Sequence, residues 1–375
     1  MKWFLPTHLV NRPLFLHQPD KCVSVSLVMI DYLCDLKYYQ PMRTLFYLLS
    51  LIYLVSACNG TTQKQTRSEE TSVAVKKTAV PVFSRDSAYN FVAKQLSFGP
   101  RVPGSEAHAA CASWFAATMG SFADTVFVQN FKARVYTKKV FDGKNIIASF
   151  NPKAAKRIIL AAHWDSRPYA DHDPDEKMHR TPIDGANDGA SGVGVLMEIA
   201  RLLRAQPISP SVGIDIIFFD LEDYGPHNSE RDAGDDDYWA LGSQYWSKTP
   251  HQQGYQANFG ILLDMVGAAG AVFPREYYSQ QYASWVLDKV WRTAQLMGYD
   301  SYFSNRPGLP INDDHIPVNR IAGIPMINII HQDQNSSNGT FYEHWHTIND
   351  NLDQIDKQTL QVVGEVVTRV IYEAS

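Results

Sequence analysis

The feature that most constrains this chain is a regular alternation of two kinds of segment between residues 81 and 375. Short apolar runs predict strands at 145–150, 157–163, 213–220, 258–264 and 324–330. Longer amphipathic runs predict helices at 87–96, 105–119, 190–204, 280–297 and 357–372. Several of the strands are apolar throughout, as strands covered on both faces are. The alternation predicts a single α/β domain with a central mixed, mostly parallel β-sheet flanked by helices on both faces.

Polar residues follow four of the predicted strands. The strand from residue 157 ends in "HWDS", with His163 and Asp165, and the strand from residue 258 ends at Asp264. The strand ending at residue 330 leads by a loop to "FYEHWHT". Because ligands of open α/β sheets bind beyond the carboxyl ends of the strands, we expect these segments to converge on one site.

The fourth strand runs into "FFDLEDYG", which places Asp220, Glu222 and Asp223 within four positions. Like charges this close raise one another's pKa unless a cation lies among them. A structural alternative is that these acids cap a following helix.

The segment "DGANDGASGVG", residues 184–194, is a glycine-rich turn that opens a predicted helix. Such turns sometimes bind phosphate, but this one lacks the GxGxxG and GxxxxGK[ST] patterns. Asn187 or Asp188 is a candidate helix cap, and Asp188 is also a candidate metal ligand. The glycines would allow the sharp turn that directs its carboxylate into the crevice.

Together these segments supply imidazole and carboxylate groups, the ligand types that suit zinc. A divalent cation would also stabilise the crowded carboxylates in their charged form. The candidate set is His163, Asp188, Glu222, Asp223, Asp264 and His346.

The order and spacing of these motifs resemble the M28 metallopeptidase clan. The HxD of residues 163–165, the "NDGASGVG" turn, the acid pair after "FFD" and the final "HT" carry the resemblance, which covers nearly all of residues 85–375. Within the clan, "DDHIP" and "EHWHTINDNLD" are similar to zinc-dependent glutaminyl cyclases of the animal type (type II). The resemblance implies conversion of N-terminal glutamine of peptides to pyroglutamate with release of ammonia.

The same resemblance implies roles for individual residues. Asp188, Asp223 and His346 would hold one zinc ion, while His163 and Asp165 would support these ligands or belong to a second metal site. Because His163 and Asp264 also match second-metal ligands of the peptidases, residue types leave the metal count open. Glu222 would be the general base, and Asp264 and Asp313 would form a carboxyl pair sharing a proton. Phe341, Trp345 and Trp239 would wall the substrate pocket, although Trp239 is equally well explained as an interior aromatic.

Two positions depart from the animal cyclases. The acid pair is Glu222-Asp223 where those enzymes have two glutamates, and Asn328 stands where they place a histidine. The ligand chemistry is kept at the first position, whereas the hydrogen bonds around the carboxyl pair must differ at the second. The acidic loop "SERDAGDDD" is interpreted as solvated, with a calcium site as the alternative.

The N-terminal part of the chain carries a different signal. "MRTLFYLLSLIYLVSAC" predicts a secretory signal peptide at 42–57 with a lipobox ending at Cys58; an ordinary signal peptide or an anchor helix is the alternative. Residues 1–41 are then an upstream extension, with translation starting at Met42. Residues 58–80 read as a flexible tether and 81–375 as the catalytic domain. We expect a monomer in the cell envelope, exported and facing the periplasm, attached to the membrane only through a lipid on Cys58.

Composition excludes several alternatives. A net charge of −5 argues against a nucleic-acid partner, and the four cysteines lack metal-ligand spacing. Three functions are compatible with the sequence: a glutaminyl cyclase, a two-zinc M28-type aminopeptidase, and a lipoprotein that binds peptides without turning them over. The cyclase is favoured over the binding protein because the base and all metal positions are present.

Overall fold

The computed structural model describes residues 79–232 and 235–374. The predicted extension, the predicted signal peptide and nearly all of the tether lie outside these residues and stay predictions. Within the described part, no helix is long and apolar enough to cross a membrane.

The elements follow the predicted order. The helices are α1 (Arg85–Leu96), α2 (Glu106–Phe122), α3 (Ala190–Ala205), α4 (Leu241–Lys248), α5 (Tyr277–Leu296) and α6 (Lys357–Glu373). The strands are β1 (Thr125–Arg134), β2 (Val140–Phe150), β3 (Lys156–His163), β4 (Val212–Phe219), β5 (Phe259–Asp264), β6 (Phe273–Arg275), β7 (Phe303–Pro307) and β8 (Met326–Ile330). A short helical segment, His315–Pro317, continues as a π-helical turn at Val318–Ala322.

The central sheet has six strands in the order β1-β2-β4-β3-β5-β8. Strands β4, β3, β5 and β8 are parallel, whereas β2 pairs antiparallel with β4 and the edge strand β1 pairs antiparallel with β2. The prediction of a mixed, mostly parallel sheet is therefore confirmed. Strands β6 and β7 form a separate parallel pair.

Alternate residues of the strands feed two apolar cores on opposite faces of the sheet. In β3, Ile158 and Leu160 pack into the larger core with α1, α2, α3, α5 and α6, while Ile159 packs into the smaller core. The smaller core is closed by Trp246 of α4 and Val318 of the π-helical turn. Helices thus cover both faces, as predicted.

Among the numbered helices and strands, four were not predicted: β1, α4 and the short strands β6 and β7. Strand β1 is an edge strand in which only Phe131 and Ala133 are buried, so its sequence lacks the continuous apolar run of the central strands. Strand β2 also begins five residues before its predicted start, because its first half pairs only with β1. These elements lie where tertiary pairing, and not local pattern, decides the conformation.

A buried polar cluster crosses the smaller-core face of β4, away from the carboxyl ends of the strands. Asp215 accepts hydrogen bonds from Ser149 Oγ at 2.6 Å and Tyr255 Oη at 2.5 Å, and both its oxygens contact the Arg157 guanidinium at 2.6 Å. The Asp215 side chain is fully buried and that of Arg157 is 6% exposed. Each of the two buried charges, Arg157 and Asp215, is therefore neutralised by the other.

We expect Asp215→Asn to lower the free energy of unfolding by about 3–5 kcal/mol, because it leaves the Arg157 charge buried without its counter-ion. Urea denaturation of the purified variant measures this. Tyr255→Phe, which removes a single hydrogen bond from the same carboxylate, should cost only about 1 kcal/mol. Equal losses in the two variants would contradict this account of the cluster.

Candidate active site

The carboxyl ends of the parallel strands hold the polar residues that the sequence singled out. His163 is the last residue of β3, Asp264 is the last residue of β5, and Asp220 directly follows β4. The glycine-rich turn before α3 and the loop that follows β8 reach the same edge of the sheet. All candidate metal ligands are brought into one buried region.

Two groups of side chains there have the spacing of metal ligands. Asp188, Asp223 and His346 form one group, and His163, Asp188 and Asp264 form the other; within each group the ligand atoms lie within 4.8 Å of one another. His346 Nε2 lies 3.2 Å from Asp223 Oδ1 and 3.5 Å from Asp188 Oδ2. His163 Nε2 lies 3.0 Å from Asp188 Oδ1 and 3.4 Å from Asp264 Oδ1. Asp188 belongs to both groups.

The chemistry of these groups fits a divalent cation. Asp188 Oδ2, Asp223 Oδ2 and Asp264 Oδ1 are buried without a hydrogen-bond partner, and neither ring nitrogen of His163 makes a well-directed hydrogen bond, although Nε2 lies 3.0 Å from Asp188 Oδ1. Burial opposes protonation of the His346 imidazole, but the charge of Asp223 raises its pKa, which shows that the environment favours positive charge. Buried polar atoms without partners are costly unless a ligand satisfies them. The residues present therefore suit zinc, whose preferred ligands are imidazole nitrogen and carboxylate oxygen.

The turn that carries Asp188 depends on glycine. Gly185 and Gly189 have φ angles of +60° and +91°. A Cβ on Gly189 would lie 2.9 Å from both the Asp165 carbonyl oxygen and His163 Cε1. The alternative in which Asn187 or Asp188 caps α3 is wrong, since Gly189 is the N-cap residue and no side-chain cap hydrogen bond is made at this end of the helix. Asn187 Oδ1 accepts the Gly267 amide instead, at 2.7 Å.

The three acids after β4 have separate surroundings. Asp220 accepts hydrogen bonds from the Lys144 amide and contacts the His108 ring at 2.9 Å, so it ties the strand end to its neighbours. Glu222 and Asp223 face the site, and their amides donate to the Asp165 carboxylate at 3.0 and 3.1 Å. Asp165 thus lies behind both residues and supports them through the backbone.

His346 is held from behind by a buried ion pair. Its Nδ1 lies 3.3 Å from Asp171 Oδ1, and Asp171 receives a two-point contact from Arg167 at 2.6 and 2.8 Å. Arg167 also donates to the Asp223 carbonyl at 3.1 Å. His346 itself has a φ of +54°, an unusual conformation for a residue with a side chain, and such strain is common at functional sites. Arg167 and Asp171 thereby fix one imidazole and one carboxylate of the same group.

A cavity of about 350 Å³ opens onto the ligand groups. Trp345 stacks on the His346 ring with 3.7 Å between centroids, and Phe341 packs on Trp345 at 4.6 Å. Trp239 also lines the cavity, parallel to the His346 ring, so it is a wall residue and not an interior aromatic. A larger cavity of about 510 Å³ around Arg306 and His331 contains neither ligand group.

Three further carboxyls line the same cavity beside the Asp188, Asp223 and His346 group: Glu222, Asp264 and Asp313. Burial, together with the charges of Asp313 and Asp223, raises the pKa of Glu222 well above its ordinary value. Burial and the neighbouring Asp313 and Asp188 raise the pKa of Asp264 to about 7. Asp313 accepts a hydrogen bond from Asn328 Nδ2 at 2.6 Å, so the asparagine fills the position beside the carboxyl pair. The repulsion between the Asp264 and Asp313 charges favours retention of a proton by one of the two carboxyls.

Sequence reasoning missed several residues that support the site. Arg167 and Asp171 follow the HxD motif at a spacing of four, a weak signal for an ion pair. Asp350 lies inside the "EHWHTINDNLD" motif but was given no role, and Arg101 lies in a loop with no chemical pattern. Their functions depend on contacts between segments far apart in the chain, which a single sequence does not show.

Comparison with known proteins shows which family the chain belongs to. Residues 145–371, which span β2 to α6 and every candidate ligand, match the model of peptidase family M28. The chain belongs to peptidase family M28.

Several solved structures resemble the chain over almost their whole length. Glutaminyl cyclase from Bacteroides thetaiotaomicron, bound to N-acetylhistamine, is 49% identical and superposes with a TM-score of 0.76 over 78% of this chain and 99% of that one. A Zn-dependent exopeptidase from Parabacteroides distasonis is 48% identical, with the same coverage and TM-score. Glutaminyl-peptide cyclotransferase of the snake Gloydius blomhoffii is 29% identical over 259 residues, which are 61% of this chain and 65% of the snake protein.

Proposed function

We propose that this M28 protein is a zinc-dependent glutaminyl-peptide cyclotransferase. It would convert the N-terminal glutamine of peptides and proteins to pyroglutamate and release ammonia. The observation that carries the proposal is the cavity in which three carboxyls and two tryptophans surround the Asp188, Asp223 and His346 group. The 49% identity to a bacterial glutaminyl cyclase supports the same activity.

Asp188, Asp223 and His346 would hold one zinc ion in this proposal. When bound, zinc would supply a Lewis acid for the γ-carbonyl group of the substrate glutamine. The neighbouring Arg167 and Asp171 keep Asp223 and His346 in place for this purpose, and carboxylates behind ligating histidines are typical of metal sites.

Glu222 is assigned the proton transfers. It would accept a proton from the α-amine as the amine nitrogen forms its bond to the γ-amide carbon, and it would give that proton to the nitrogen that leaves as ammonia. One carbon–nitrogen bond forms and one breaks, so no external reactant is needed. Asp264 and Asp313 share one proton and hydrogen-bond the leaving group, while Asn328 holds Asp313 in position.

The aromatic side chains that line the cavity would orient the substrate glutamine. The reaction is intramolecular and requires the glutamine side chain to fold back on its own amine, which a narrow cavity between Trp345, Phe341 and Trp239 would enforce. Proteins that expose glutamine after signal cleavage are the proposed substrates, if residues 42–57 direct export and Cys58 carries a lipid.

A two-metal aminopeptidase is the second candidate. The His163, Asp188 and Asp264 group favours it, because that group would hold a second ion next to the first. The related Zn-dependent exopeptidase from Parabacteroides distasonis points in the same direction.

Ammonia release from a glutamine-initiated dipeptide, measured with and without a chelator, tests the proposal. We expect ammonia from the untreated protein, none after metal removal, and recovery on addition of Zn²⁺. Dipeptide consumption without ammonia would contradict the cyclase and support the aminopeptidase.

A further inference from the structure

We propose that Arg101 and Asp350 form a two-sided clamp on the turn that carries Asp188, and that this clamp sets the affinity of the site for zinc. Both are positioning residues that act through the backbone of the turn. The inference rests on the proposed metal site, because Asp188 is the carboxylate shared by both ligand groups.

The carboxyl side of the clamp is Asp350, whose side chain is fully buried. Its Oδ1 accepts the Asn187 amide at 2.8 Å and its Oδ2 accepts the Asp188 amide at 3.1 Å. The backbone carbonyl of Asp350 accepts the Ala186 amide at 3.2 Å. Three consecutive amides of the turn are therefore fixed by one residue that follows His346 by only four positions.

The cationic side is Arg101, which is also fully buried. Its Nη1 donates to the Asp184 carbonyl at 2.6 Å and its Nη2 donates to the Gly185 carbonyl at 2.8 Å. Its Nε donates to the Trp164 carbonyl at 2.9 Å, between His163 and Asp165. The guanidinium thus joins the first half of the turn to the end of β3.

The two sides are complementary in charge. The carbonyl oxygens of residues 184 and 185 face the Arg101 guanidinium, whereas the amide hydrogens of residues 187 and 188 face the Asp350 carboxylate. Charge-assisted hydrogen bonds of this kind are about twice as strong as neutral ones. The turn needs such support because its two glycines give the backbone little intrinsic preference for one conformation.

Fixing the turn fixes the Asp188 carboxylate. Its two oxygens lie 3.0 Å from His163 Nε2 and 3.5 Å from His346 Nε2, so a small rotation of the turn would spoil both ligand groups. Metal sites require their ligands to be held within about 0.5 Å of the binding geometry. The clamp therefore favours the metal-bound arrangement before the metal arrives.

Competition for Zn²⁺ between the purified protein and a chromogenic chelator of known affinity tests the clamp. We expect Asp350→Asn, which retains the size of the side chain but not its charge, to weaken Zn²⁺ binding about 10- to 100-fold. Arg101→Lys, which keeps the charge but cannot reach all three carbonyls, should weaken it as well. Asp350→Glu, which keeps the carboxylate, should bind Zn²⁺ more tightly than Asp350→Asn.

Asp215→Asn is the matched control, because it neutralises a buried aspartate that is remote from the site. It should lower the melting temperature of the metal-free protein and leave Zn²⁺ affinity unchanged. Wild-type Zn²⁺ affinity in both Arg101→Lys and Asp350→Asn would overturn the clamp, even if both melt at lower temperature. Failure of the wild-type protein to bind Zn²⁺ would instead overturn the metal site on which the clamp depends.

Discussion

Replacing Glu222 by Gln is expected to lower kcat for glutamine-initiated peptides by about 100- to 10,000-fold, the usual contribution of a general acid–base residue. Glutamine fills the same volume, but its amide cannot accept the α-amine proton. Because the Glu222 backbone is held by Asp165 and its side chain belongs to neither ligand group, the variant should keep its metal. Steady-state kinetics with metal analysis of the same sample measures both quantities.

Asp313→Asn is a useful comparison for this variant. It changes a second carboxyl of the cavity that is also outside the ligand groups, and it leaves the proposed base intact. A smaller decrease in kcat for Asp313→Asn than for Glu222→Gln fits the assigned roles. Full activity in Glu222→Gln would show that another group moves the proton.

The second large effect is expected from Asp188→Asn. Asp188 is shared by both ligand groups, so its neutralisation should remove bound metal whether the site holds one ion or two. The loss of affinity should exceed the roughly 10- to 100-fold that is typical for residues behind a ligand. Equilibrium dialysis against Zn²⁺, followed by metal analysis, measures it directly.

Asp264→Asn separates the one-metal and two-metal alternatives in the same measurement. Asp264 belongs only to the group with His163. In the one-metal account this variant retains the zinc content of the unmodified protein, whereas a two-metal protein would lose one of its two ions. Retention of full zinc content by Asp188→Asn would contradict the proposed ligands altogether.

The sequence was sufficient for the parts of this fold that depend on local pattern. The apolar runs of β3, β4 and β5 and the periodicity of α3 predict buried elements, and polar residues at the strand ends predict the edge at which a site forms. Strand β1 and helix α4 could not be predicted because neither has a long apolar run. Their positions are fixed by pairing with β2 and by packing on the smaller core.

The residues of the site likewise divide into those that a sequence motif reveals and those that it does not. Residues whose chemistry is visible in a motif, such as Asp188 and His346, were predicted and do lie together. Residues that act by holding others, such as Arg167 behind His346 and Arg101 behind the turn, were not. Their partners are backbone atoms or side chains brought near by folding, and neither leaves a pattern at short range.

The central claim is that the protein cyclises N-terminal glutamine and does not hydrolyse peptide bonds. Mass spectrometry of products from two peptides that differ only in an N-terminal glutamine or leucine tests it most directly. The account predicts that the glutamine peptide loses one ammonia and keeps its length, while the leucine peptide is unchanged. Shortening of either peptide by its first residue would contradict the account and identify an aminopeptidase.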